Sequence, residues 1–144
     1  MTADYPESAT EVIDQSVRFN PQALAAIRAF ARKRPWRGTL DERWAKFQAL
    51  NDELAHAYRV QTPILLLRGN GTGESGRSSY HPRPPTITMR GKLSVITFLH
   101  EWGHHLRGRS EREACRWSIN LFRRCFPRSF ARCRFDGHML RSER

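Results

Sequence analysis

Lysine is scarce in this chain: 22 of the 25 basic residues are arginine, and only Lys33, Lys46 and Lys92 are lysine. No Gly-Lys-Ser/Thr ending follows the four glycines between Gly69 and Ser79. That stretch therefore reads as a loop or hairpin connection and not as a phosphate cradle. Cysteine is scarce too. Cys115, Cys125 and Cys133 are odd in number, and no pair has CxxC spacing. This argues against a zinc ribbon and against a disulfide framework, and reduced thiols fit a cytosolic protein. No apolar run approaches the roughly 20 residues that span a bilayer. Met1 to Asp14 is acidic and polar, the wrong chemistry for a secretory signal. The expected location is the cytoplasm. No segment repeats.

What the chain does have is positive charge, unevenly placed. Its 144 residues carry +11. The first twenty hold four acids against Arg18, whereas residues 101–144 hold eleven arginines against five acids. A basic C-terminal surface of this kind suits contact with nucleic acid or an acidic partner. It equally suits a solvated, arginine-biased surface, and no nucleic-acid-binding motif accompanies it. Four Trp and eight Phe within an apolar fraction of 39% can supply a core, and the length suits one domain.

Residues 1–19 lack strong periodicity and read as a flexible acidic tail, with one helical turn at most between Glu11 and Val17. Asn20-Pro21 opens a helix: Asn is a good N-cap, and Pro at the first helical position has no hydrogen bond to lose. Leu24, Ile27 and Phe30 carry this accessory helix to Arg34, where Pro35 stops it. Thr39 is the next N-cap. Trp44, Phe47, Leu50, Leu54 and Ala57 mark one apolar face to about Tyr58. Pro63 to Leu67 is short and apolar and reads as a buried strand. Thr86 to Met89 alternates after two prolines and reads as an edge strand. Ser94 opens a helix from Val95 to about Leu106, and Arg107-Gly108-Arg109 is a turn. Ser110 caps a last helix from Glu111 to about Cys125, with Glu113 completing a capping box. From residue 128 the chain reads as a basic C-terminal tail.

The chemistry is concentrated in His100-Glu101-Trp102-Gly103-His104. Positions i and i+4 share a helix face, so His100 and His104 can aim ring nitrogens at one metal ion. Glu101 projects beside them, close enough to act as a general base without ligating. Zinc needs a third protein ligand. The metzincin pattern would require Gly at 107 and His at 110, but Arg107 and Ser110 stand there. Glu111 and Glu113 are the near candidates. Ala114, Cys115, Ser118 and Phe122 continue the face of Glu111, and small residues permit close helix approach. Trp117, Asn120 and Arg124 continue the more polar face of Glu113, which the capping box already employs. Packing therefore favours Glu111. His105 points about 100° away from His104, so a surface or supporting place suits it. His138 reads as a tail residue or a transition-state donor. His56 and His81 have no partner pattern, and Cys115 and Cys125 suit packing in the last helix.

These residues resemble a known family. The order of strand, Gly-rich connection, edge strand, His-Glu-Trp-Gly-His helix and glutamate helix is similar to the zincin arrangement. Ser110 to Ser118 resembles the Glu-x-Glu-Ala-Asn/Asp-x-Phe-Ala signature of ImmA/IrrE-type metallopeptidases and related gluzincin-like proteins. The likeness spans about residues 39–127 as a pattern and is specific over 98–118. It implies an α+β fold with helices packed on a short sheet, over a single zincin-like domain at 20–127. It implies His100, His104 and Glu111 as Zn2+ ligands, Glu101 as catalytic base, and cytoplasmic, regulatory cleavage of a protein or peptide substrate. A substrate strand would lie along Thr86 to Met89. Cys115 departs from the pattern, standing where an Asp or Asn would support a ligand histidine. A thiol is a weak hydrogen-bonding group, so the alternative expectation is a catalytically weak or inactive zincin-like basic protein that binds nucleic acid or a protein partner.

Overall fold

A computed structural model of the chain describes residues 4–69, 78–90, 93–136 and 139–142. The expected Gly-rich connection lies largely outside the described residues, as does His138. The architecture is α+β and divides into two compact units, Arg18–Val95 and the pair of segments Met1–Val17 and Ile96–Arg144. Among the described residues no helix is long and apolar enough to cross a membrane.

The central unit begins with α1 (Pro21–Arg32), capped by the Asn20 side chain, which accepts hydrogen bonds from the N–H groups of Gln22 and Ala23. The helix stops two residues before the expected Arg34, which takes a left-handed φ of 53°. α2 (Leu40–Tyr58) has the full capping box: Thr39 accepts from the Glu42 N–H while Glu42 accepts from the Thr39 N–H. Its apolar face buries Phe47, Leu50 and Leu54, and Phe47 meets Phe30 of α1 edge-to-face at 5.1 Å. Asn51, buried on α2, donates to the Pro63 carbonyl at 2.9 Å, tying the helix to the strand that follows.

That strand, β1 (Ile64–Arg68), pairs in parallel with β3 (Pro85–Arg90), which pairs antiparallel with β2 (Ser79–Pro82). Two expectations are corrected here. Thr86 to Met89 is not an edge: β3 is the centre of the order β1-β3-β2. The prolines suggested an edge because they lack ladder donors, but Pro82 and Pro85 pair across the turn that joins β2 to β3. Conversely, β1 is not a buried strand. Among the described residues it has a ladder partner on one side only, and Ile64 is 48% exposed. Ile87 and Met89, on one face of the central strand, are fully buried.

The second unit holds α3 (Val95–Arg107), α4 (Glu111–Cys125), α5 (Pro127–Ala131) and an antiparallel pair, β4 (Cys133–Asp136) with β5 (Met139–Ser142). Ser110 caps α4, accepting from the Glu113 N–H. The segment read as a basic tail thus contains a helical turn and two paired strands. The segment read as an acidic tail differs in the same way. It forms a 3-10 turn at Ala9–Glu11 and buries Pro6 and Val12. The cause is hydrogen bonding to α4: buried Asn120 accepts from the Asp14 N–H at 2.9 Å and donates to the Val12 carbonyl at 2.8 Å. Exposed ion pairs Glu11–Arg112 and Asp14–Arg116 run alongside.

Candidate metal centre

α3 places His100 and His104 one turn apart, their rings 4.9 Å between centroids. Glu111, in the first turn of α4, reaches both. Its Oε1 lies 2.9 Å from His100 Nε2 and 2.8 Å from His104 Nε2. Each residue of the trio offers one ligand atom within 4.8 Å of the others, so the group can hold a metal ion. Tetrahedral zinc with bonds of about 2.0–2.2 Å separates its ligand atoms by roughly 3.4 Å. The two Glu111–histidine separations of 2.9 and 2.8 Å would each lengthen by about half an ångström to reach that spacing. Of the expected Ser110–Glu113 capping box, the backbone half forms: Ser110 Oγ accepts from the Glu113 N–H.

The approach of α4 to α3 depends on Gly103. A Cβ there would stand 2.9 Å from both the Cα and the carbonyl oxygen of Ala114. The two helices touch backbone to backbone, and this brings Glu111 within reach of the imidazoles. The sequence reading found the small residues of α4 but gave no role to Gly103, although glycine one residue before a ligand histidine was a visible signal.

Each histidine also has a partner on its other nitrogen. His104 Nδ1 is 2.8 Å from the carbonyl of Gly108, whose N–H closes the helix on the His104 carbonyl. Gly108 can turn its carbonyl back in this way because it sits at φ +88°. Both His104 nitrogens thus face acceptors. Burial opposes its charged form, but the hydrogen bonds it can donate to Glu111 and to the Gly108 carbonyl win, and its pKa is raised. His100 Nδ1 faces Cys115 Sγ at 3.7 Å. Burial first, then the Glu111 charge, pushes that thiol up to about 12, so it stays protonated. With its Nε2 on a metal, His100 would keep a proton on Nδ1 and the sulfur would be a weak acceptor for it.

Burial also opposes ionisation of Glu111, yet the hydrogen bonds from the two imidazoles outweigh it and hold the carboxyl at about 2. Glu101 is 7% exposed and its pKa is raised, mainly by burial; the histidines oppose that shift and Glu111 adds to it. It is not one of the three converging ligands. His105 packs edge-on against Trp102 at 5.0 Å. His56 and His81 are exposed on α2 and β2. Among the described residues, Cys115, Cys125 and Cys133 form no disulfide.

The sequence reading missed two residues of the N-terminal segment. Asp4 accepts from Ser110 Oγ at 2.5 Å and from the Glu111 N–H at 2.7 Å, an anion set at the start of α4. Tyr5 hydrogen-bonds to the Glu111 carboxylate and stacks along the ring of His100. The available signal was the acidity of residues 1–20 set against the arginines of α4.

No known family model, curated protein or solved structure matches this chain.

Proposed function

We propose that the protein is a zinc-dependent metallopeptidase, with His100, His104 and Glu111 as ligands and Glu101 as general base. The supporting observation is the convergence of Glu111 on two histidines spaced i and i+4, with a buried carboxylate next to the first of them. Bound there, zinc supplies the Lewis acidity that makes water nucleophilic at neutral pH and polarises a carbonyl. Glu101 accepts the proton of the attacking water and returns it to the leaving amine. Burial of Glu101 keeps competing solvent away and raises its affinity for that proton. The substrate class is a protein or peptide. β3 has no open side for a substrate strand, because β1 and β2 pair with it on either side.

The test is metal analysis of protein purified without a histidine tag, together with peptide hydrolysis. About one equivalent of zinc is expected, lost in Glu111→Ala. Glu101→Gln is expected to retain the metal and lose hydrolysis by about 100-fold or more. Less than about a tenth of an equivalent in the wild type, unchanged by Glu111→Ala, would discard the site.

A second reading, a zinc-holding basic protein without peptidase activity, draws support from the weak Cys115 contact to His100. Stoichiometric zinc with no hydrolysis would select it. Nucleic-acid affinity falling steeply with salt would then identify the partner class.

A further inference from the structure

We propose that Tyr5 is a positioning residue of the metal centre, delivered by an N-terminal strap to hold the ligand carboxylate of Glu111. This rests on the reading of His100, His104 and Glu111 as a zinc site.

The strap is built into its own unit. Asp4 fixes its start at the first turn of α4, and Asn120 fixes Val12 and Asp14 two turns further along the helix. Between these anchors, Pro6 is fully buried. Tyr5 therefore has little freedom. Its ring lies 16° from the plane of the His100 ring at 6.3 Å between centroids, and its hydroxyl meets Glu111.

The chemistry gives that hydroxyl a distinct task. The Glu111 carboxylate is met by both imidazole Nε2 atoms, at 2.9 and 2.8 Å, and by the Tyr5 phenol. Tyr5 is not one of the three converging ligands. Its hydroxyl is therefore the group that can hold the carboxylate without competing for a coordination position. A ligating carboxylate held by a hydrogen bond is oriented and costs less to order. Of the two histidines, His104 has a carbonyl partner and His100 only a thiol. Support through Tyr5 thus falls where the centre is otherwise weakest, because the same residue contacts both His100 and Glu111.

The test is zinc affinity by competition with a chromophoric chelator, plus the visible absorption spectrum of the cobalt-loaded protein. Tyr5→Phe keeps the ring and removes the donor. It is expected to weaken zinc binding by about 10–100-fold and to shift the cobalt bands, as losses of such supporting contacts do. Asp4→Ala, which releases the strap from α4, is expected to weaken binding in the same direction. Glu11→Gln, which removes the exposed ion pair to Arg112 and keeps a side-chain oxygen for the Glu7 N–H, is expected to leave affinity within about twofold of wild type. If wild type binds zinc and Tyr5→Phe matches it within about twofold, with unchanged cobalt bands, the assignment is overturned while the zinc site stands. If wild type binds no zinc, both fall together. Should Tyr5→Phe fail to fold, Asp4→Ala decides: unchanged affinity overturns the proposal.

Discussion

At the scale of single residues, the two glycines act through what they lack. Gly103 lets α3 and α4 touch, and the two nearest atoms a Cβ would meet there are backbone, which cannot rotate away. Gly103→Ala is expected to cost about 1–3 kcal/mol by overpacking and to lower metal occupancy, because the relief available is to move Glu111 away from the histidines. Urea unfolding and metal analysis of one sample read both effects. Gly108 is different. Nothing lies within 4 Å of its added Cβ, but its φ is +88°. Gly108→Ala is expected to destabilise through the backbone by about 1 kcal/mol. It should also disturb the carbonyl that holds His104 Nδ1, so zinc affinity falls even where packing is intact.

Among the elements, α4 is the one on which the centre is assembled. Its first turn supplies Glu111, its second Cys115, and its outer faces receive the strap. Asn120 makes three bonds there, to the Asp14 N–H, the Val12 carbonyl and the Arg116 carbonyl. Asn120→Ala leaves the strap groups unpaired and is expected to cost about 1–3 kcal/mol. Amide exchange at Asp14 should speed up more than exchange within α1. The strap also has a pH signature. Hydrogen bonds from the Ser16 hydroxyl and N–H, followed by that from Arg116, hold the Asp14 carboxyl below its usual 3.8. A depressed folded pKa means the contribution is present above 3.8 and is lost as pH falls through the lower, folded value. The difference in thermal midpoint between wild type and Asp14→Ala is therefore expected to be full at neutral pH and to shrink in acid below that range. A difference that grows on acidification would contradict it.

At the scale of the whole molecule, the proposed metal binding would be linked to folding in one unit. All three converging ligands, together with Tyr5, lie in the unit formed by Met1–Val17 and Ile96–Arg144. Zinc at a hundred times its dissociation constant is expected to stabilise that unit by about 2.7 kcal/mol. For a chain of this size the shift is a rise of roughly 5–11 °C in the transition. Calorimetry with zinc and then with excess chelator checks this. If the two units melt separately, one transition should move and the other should stay.

Local signals were legible wherever the interaction is local. Asn20, Thr39 and Ser110 announced their helices because a cap bonds within three residues of itself. His100 and His104 announced a shared face because the helix repeat sets it. Glu111 could be preferred to Glu113 because the small residues of α4 follow its face at helical spacing. The sequence alone therefore determined the four longer helices, the histidine pair and the charge asymmetry. Tertiary structure decided the rest. β3 became central because β1 and β2 both pair with it, and the prolines beside it carry no record of those partners. Gly103 became essential only once Ala114 lay against it. Asp4 and Tyr5 became parts of the centre across more than a hundred residues of chain. Such a contact is fixed by which surfaces meet when the core forms, and no periodicity within the segment itself encodes it.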